Sequence, residues 1–143
     1  MRTVDELTER FRDRGLRVTP QRQAIFRLLH GDASHPTVET LHERARNDMP
    51  TISLKTVYQT VHDLEAMGEV ELIHLGTGSV RVDPNVEHAH HHLICTVCGK
   101  VRDVLVDVHD LRVPARDRRG FTVADVEVHF RGVCADCAGP QVS

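Results

Sequence analysis

SLKTVYQTVHDLEAMG (53–68) is followed almost at once by VELIHLGTGSVRVD (70–83), and the reading of this pair decides the fold. Val57, Val61 and Leu64 recur at helical spacing, and Ser53 can cap the helix they define. The second stretch alternates, is rich in β-formers and contains Gly76-Thr77-Gly78, which predicts a β-hairpin. Working upstream, TVDELTERFRDRG (3–15) places Val4, Leu7 and Phe11 on one helical face and stops at Gly15. Thr19 and Pro20 suit the N-cap and first position of a helix ending at Gly31, and a third helix starts near Thr37 after His35-Pro36. Helices followed by a hairpin describe a winged helix-turn-helix, with helix four in the major groove and the hairpin along the backbone. A helical domain with an accessory hairpin fits the same pattern. The exposed face of helix four favours the winged helix. Lys55, Thr56, Tyr58 and Gln59 can reach phosphates and base edges, and Arg17 and Arg22 lie upstream as phosphate contacts.

The chain has 143 residues, enough for one ordinary domain or two small ones. No apolar run approaches the roughly 18 residues of a membrane span, and the Arg- and acid-rich start lacks a signal-peptide stretch, so a cytoplasmic location is expected. The net charge of −3 argues mildly against a nucleic-acid binder. Its distribution argues the other way. Residues 1 to 30 hold Arg2, Arg10, Arg12, Arg14, Arg17, Arg22 and Arg27 against Asp5, Glu6, Glu9 and Asp13, and a local basic face matters more than the total. The eleven histidines are an excess that needs a reason.

The second half begins after Asp83-Pro84, giving an expected division into 1–83 and 84–143 with a hinge at about 83–91. HLICTVC, KVRDVLVDV and FTVADVEVHF are β-rich, and Pro114 limits the intervening DLRVPARDRRG to a short or irregular helix. So small a domain has a thin core and needs a staple. Cys95-x-x-Cys98 and Cys134-x-x-Cys137 supply one: each knuckle offers two thiolates to one ion, and both together complete a tetrahedral site. A redox pair or disulfides would also use four cysteines, but the doubled motif favours structural zinc, one per subunit, with no open position for a substrate.

EHAHHHLICTVCGK (87–100) leads into the first knuckle. In an extended chain His88, His90 and His92 share one face, and Glu87, Ala89 and His91 the other. A solvated polar stretch would look similar. The reading adopted is a second, regulatory metal site using His90 and His92 with Asp83, Asp103 and His35. Imidazoles and carboxylates without thiolate suit Fe2+, Mn2+ or Zn2+, and the two aspartates favour the harder ions. One regulatory ion per subunit, gripped from both halves of the chain, would fix the angle between them and so the spacing of two recognition helices in a dimer.

RVTPQR (17–22), SHPTVETL (34–41), SLKTVYQTV (53–61), HHHLICTVCGKVRD (90–103) and GVCADC (132–137) together resemble the ferric uptake regulator (Fur) family of bacterial metal-dependent transcription factors. The resemblance runs from about residue 7 to residue 137. It implies an α+β protein: an N-terminal winged helix-turn-helix domain and a small C-terminal α/β dimerisation domain with a four-cysteine zinc site. It also implies a regulatory site of His35, Asp83, His90, His92 and Asp103, with Arg22 and Tyr58 at DNA-contacting positions. The partners implied are double-stranded DNA carrying a palindromic operator and a second copy of the chain, with neither membrane nor small-molecule substrate. Three histidines with two aspartates resemble the peroxide-sensing (PerR-type) branch. Iron-sensing relatives tend to carry glutamate at the positions of Asp83 and Asp103, and an iron- or manganese-uptake regulator is the alternative. A zinc-uptake regulator usually brings a cysteine to the regulatory site, and none is spare here.

The chain departs from the family pattern in several places. Ala89 and the Asp125-Val126 region replace histidines of a further site found in many members, so no third full site is expected and His91 is left a spectator or weak ligand. Gln59 stands where an arginine is frequent, and Pro114 with Asp117-Arg118-Arg119 sits where relatives carry a longer amphipathic helix, which bears on the dimer interface. A metalloenzyme would need an open coordination position, a pocket and a base such as Glu87, and would leave the helix-four face unexplained. A metal-storage or delivery module leaves it unexplained too. The expectation is a non-enzymatic regulator.

Overall fold

A computed structural model describes residues 1–75 and 79–139, in two compact units, Met1–His88 and Ala89–Ser143. The turn expected at Gly76-Thr77-Gly78 lies outside the described residues. No helix among them is long and apolar enough to cross a membrane.

The first unit runs α1 (Val4–Asp13), α2 (Pro20–Leu29), α3 (Val38–Asp48), α4 (Leu54–Ala66), β1 (Glu71–His74) and β2 (Val80–Asp83). Each helix starts where a hydroxyl can replace a missing intrahelical partner. Thr3, Thr19, Thr37 and Ser53 accept from the backbone N–H of Glu6, Arg22, Thr40 and Thr56. Gly68, at φ +71°, takes the left-handed conformation that ends α4. Leu7, Phe11, Ile25, Phe26, Leu29, Leu41, Val57 and Leu64 are fully buried, one apolar stripe from each helix. Phe11 meets Phe26 edge to face, with centroids 4.8 Å apart. β1 and β2 pair antiparallel, Leu72 opposite Val82. The hairpin is tied to the segment before α3 by Val82 N–H donating to the Pro36 carbonyl at 2.9 Å.

The second unit contains β3 (His91–Cys95), β4 (Val101–Val104), α5 (Ala115–Arg118), β5 (His129–Gly132) and α6 (Ala135–Ala138). Its sheet has the order β4-β3-β5, with β3 antiparallel to β4 and parallel to β5. The β-rich segments after Gly99 make shorter strands than their composition suggests: only 101–104 and 129–132 pair. Neither flanking run has a described strand to pair with, and β-propensity without a neighbour does not make a strand. Pro114 sits at the N-cap of the four-residue α5, where its missing N–H costs nothing. The core is thin, with Ile94, Cys95 and Val101 its buried apolar residues. Leu105, Leu111, Phe121 and Val123 stand exposed.

Candidate metal centres

The four cysteines converge. Cys95 ends β3, and Gly99, at φ +73°, closes the first knuckle by donating its N–H to the Cys95 carbonyl at 2.9 Å. Cys134 precedes α6 and Cys137 lies within it. The parallel register setting Cys95 beside Gly132 brings the knuckles together, and the Cys134 N–H reaches Cys95 Sγ at 3.3 Å. Cys98 Sγ and Cys134 Sγ are 3.8 Å apart, and all four sulfurs lie within 4.8 Å of one another. Sulfurs on a tetrahedral zinc at about 2.3 Å stand about 3.8 Å apart, so the spacing fits that ion. No pair is joined as a disulfide.

Electrostatics points the same way. Backbone N–H groups of Cys98, and then of Cys134, pull the Cys95 thiol down to about 6. Cys137, hydrogen-bonded first by Cys134 and then by Cys98, is pushed up to about 12. Four thiolates cannot crowd one spot without a cation, and a divalent ion resolves that conflict by coordinating them. Lys100 Nζ, 2.5 Å from Asp136 Oδ2, links the two knuckles at the surface.

The nitrogen and oxygen donors fall in both units. In the first, His35 Nε2 lies 3.4 Å from Asp83 Oδ2. His35 Nδ1 faces the Ala33 carbonyl at 3.0 Å, which requires the proton on Nδ1 and makes Nε2 the nitrogen suited to an ion. The His35 backbone is left-handed at φ +50°, and Arg81 Nη1 donates to its carbonyl at 2.9 Å. Asp83 Oδ1 accepts from Asn85 N–H at 2.8 Å.

In the second unit, His92 is register partner of Asp103 across β3 and β4. Asp103 Oδ1 lies 3.4 Å from His90 Nε2 and 3.7 Å from His92 Nε2, and the two rings meet edge to face at 4.8 Å. His91 Nδ1 accepts the Val128 N–H at 3.1 Å, a structural tie between segments. The opposite side of His92 holds residues that sequence reasoning missed. His92 Nδ1 is 3.7 Å from Glu127 Oε1, which is 2.6 Å from His129 Nε2. The E-V-H alternation five to seven residues before Cys134 was the available signal.

On α4, Lys55, Tyr58 and Gln59 are exposed and Thr56 partly so, opposite the buried Val57, Thr60, Val61 and Leu64. Tyr58 hydroxyl donates to Glu39 at 2.8 Å, which raises the phenol's pKa, and Gln59 Nε2 lies 3.4 Å from Asp63. Arg17 is exposed. Arg22 is mostly buried: its guanidinium lies 2.9 Å from Asp63 and 5.4 Å from the Phe11 ring centroid, joining α2 to α4.

The chain matches the ferric uptake regulator family over residues 13–137. It is 33% identical over 135 residues to the peroxide-responsive repressor PerR of Staphylococcus aureus (strain Mu50), covering 94% of this chain and 90% of that protein. Among solved structures, a zinc-bound manganese uptake regulator is 31% identical with a TM-score of 0.70, covering 93% of this chain and 99% of that one. The Helicobacter pylori ferric uptake regulator, described as having three functional metal binding sites, shares the fold with a TM-score of 0.82 at 18% identity, over 98% of this chain and 97% of that one. A family match over most of the length, a relative at one-third identity and a four-sulfur cluster of zinc dimensions agree: the chain belongs to the ferric uptake regulator family.

Proposed function

We propose that this member of a family of transcriptional regulators is a metal-dependent repressor that senses peroxide through Fe2+ and also accepts Mn2+. The observation that carries the reading is the donor set left over once the cysteines are spent. His35, Asp83, His90, His92 and Asp103 offer imidazole and carboxylate only, a set suited to hard and borderline ions and unlike a thiolate-bearing zinc sensor. Similarity to a peroxide-responsive repressor supports the same branch.

In this reading one ion takes His35 and Asp83 from the first unit and His90, His92 and Asp103 from the second, with structural Zn2+ at the cysteines of each subunit. The ion binds one arrangement of the units more tightly and shifts the population toward it. The α4 face, with Lys55, Thr56, Tyr58 and Gln59, then reads a palindromic operator as one of a pair. Arg17 adds a phosphate contact, and Arg22 acts through its Asp63 and Phe11 contacts by holding α4 in place. The exposed apolar residues of the second unit, Leu105, Leu111, Phe121 and Val123, supply surface for homodimerisation. Held by these residues, Fe2+ would supply one-electron reduction of peroxide. The chain's part is to hold His35 and His90 where oxidation removes a ligand.

Similarity to a manganese uptake regulator supports a second reading, in which Mn2+ acts as corepressor without peroxide sensing. One pair of measurements separates the two. Gel-shift titration should show operator binding appearing only with Fe2+ or Mn2+. Mass spectrometry of the Fe2+-loaded protein after low peroxide should find one added oxygen on His35 or His90, with DNA binding lost. Unmodified histidines with DNA binding intact select the manganese or iron uptake reading, and metal-independent DNA binding overturns both.

A further inference from the structure

The second unit carries a row of donors across its sheet that the regulatory set does not exhaust. β3 lies between β4 and β5, and His92 is register partner of both Asp103 and His129. Its ring is approached from two sides: Nε2 faces Asp103 and Nδ1 faces Glu127. Glu127 lies two residues before His129, just ahead of β5, and both side chains approach the His92 ring. His92 and His129 rings lie 5.7 Å apart at 71°, and Glu127 Oε1 lies 2.6 Å from His129 Nε2 and 3.7 Å from His92 Nδ1. Donors on a tetrahedral ion with bonds of about 2.0–2.1 Å stand about 3.3 Å apart, a value these contacts straddle.

We propose that His92 Nδ1, Glu127 and His129 Nε2 form a second divalent-cation site. It would take a borderline ion such as Zn2+ or Co2+ and is filled only when His92 is not serving an ion through Nε2. Two imidazoles and one carboxylate favour the later first-row ions over Mn2+. The exclusion comes from the ring itself. A neutral imidazole carries one N–H and one lone pair, so binding through Nδ1 puts the proton on Nε2 and removes it as a ligand. The ligand set stands on the geometry of this unit alone. The exclusion rests in addition on the proposed regulatory use of His92 Nε2. An excess of borderline ion would thus draw His92 away from the regulatory ion and oppose repression.

The test is titration of the full, zinc-replete chain with CoCl2, followed by visible absorption. The Asp83→Ala chain, with the regulatory set weakened outside this unit, should bind one equivalent with bands free of thiolate charge transfer. Adding Glu127→Gln, or separately His129→Ala, should weaken that binding by at least about tenfold. His109→Ala, an exposed histidine outside the cluster, should leave it unchanged. Cobalt affinity indifferent to both Glu127→Gln and His129→Ala overturns the site, and Glu127→Gln conserves size should the alanine variant not fold. The unsubstituted chain should stop at one cobalt beyond the cysteine-bound zinc. Two equivalents, falling to one in His129→Ala, overturn the exclusion. Failure of the regulatory reading shows elsewhere, as Mn2+ affinity unmoved by His35→Ala or Asp83→Ala.

Discussion

Cys95, Cys98, Cys134 and Cys137 all belong to one folding unit, whereas His35 and Asp83 belong to a different unit from His90, His92 and Asp103. On the proposed reading the difference is one of function as much as position. A closed set of four soft ligands within one small unit would act to hold that unit together, since a filled tetrahedron leaves no coordination position open. Ligands distributed over two units can report on arrangement, because an ion's affinity then depends on how the units meet. The cysteine sulfurs already stand at the spacing of a filled tetrahedron, with Cys98 and Cys134 3.8 Å apart. The nitrogen and oxygen donors are instead grouped by unit, each group oriented by its own hydrogen bonds or strand register.

Breaking the staple should have the largest effect. Structural zinc contributes about 10–16 kcal/mol to the folding of small metal-dependent domains. Cys95 also caps the Cys134 N–H and sits buried at the end of β3, so no part of the thin core replaces it. Cys95→Ser is expected to lose the bound zinc and hydrogen-exchange protection over 91–104, while the helices of the first unit, with their own core, keep theirs. Protection retained in the second unit without zinc would erase the contrast between the two kinds of site.

The next effect sharpens the contrast. His90→Ala should leave cysteine-bound zinc and the circular dichroism spectrum unchanged, yet lower Mn2+ affinity on the order of a hundredfold, the upper end of losses seen even for outer-shell changes. Mn2+-dependent operator binding, read by gel shift, should vanish with it. If His90→Ala and Cys95→Ser behave alike in both measurements, the division of the ligands into structural and regulatory sets fails.

These sites differ also in how far the sequence revealed them. The cysteine knuckles are local motifs, and their spacing announces the chemistry before any fold is known. The helices were legible because Thr19, Thr37 and Ser53 mark their starts and apolar spacing marks their faces. Glu127 and His129 left only a weak trace, the short alternation before the second knuckle, because the parallel register that sets His129 beside His92 joins residues 37 apart in the chain. Arg22 was read as a phosphate contact from its place upstream of helix four and from the family resemblance. Its Asp63 and Phe11 partners lie on other helices and were invisible without the packing.

The smallest effect concerns Arg81, which bears no ligand and touches one by its backbone. His35 holds a left-handed conformation that costs a non-glycine residue roughly 1–3 kcal/mol. The Arg81 guanidinium donates to its carbonyl at 2.9 Å, and a hydrogen bond from a charged donor is worth about 1.5–3 kcal/mol. The two magnitudes are comparable, so the contact can offset the strain and keep Nε2 directed toward Asp83 in the absence of metal. Arg81→Met retains most of the side-chain bulk on β2 and removes the donor. Mn2+ affinity should then fall about tenfold, the equivalent of about 1.4 kcal/mol, while binding of zinc by the cysteines stays unchanged. Arg81→Lys should recover part of the loss. A purely structural role would lower the melting temperature and leave Mn2+ affinity where it was, and that result would place the orientation of His35 in the backbone alone.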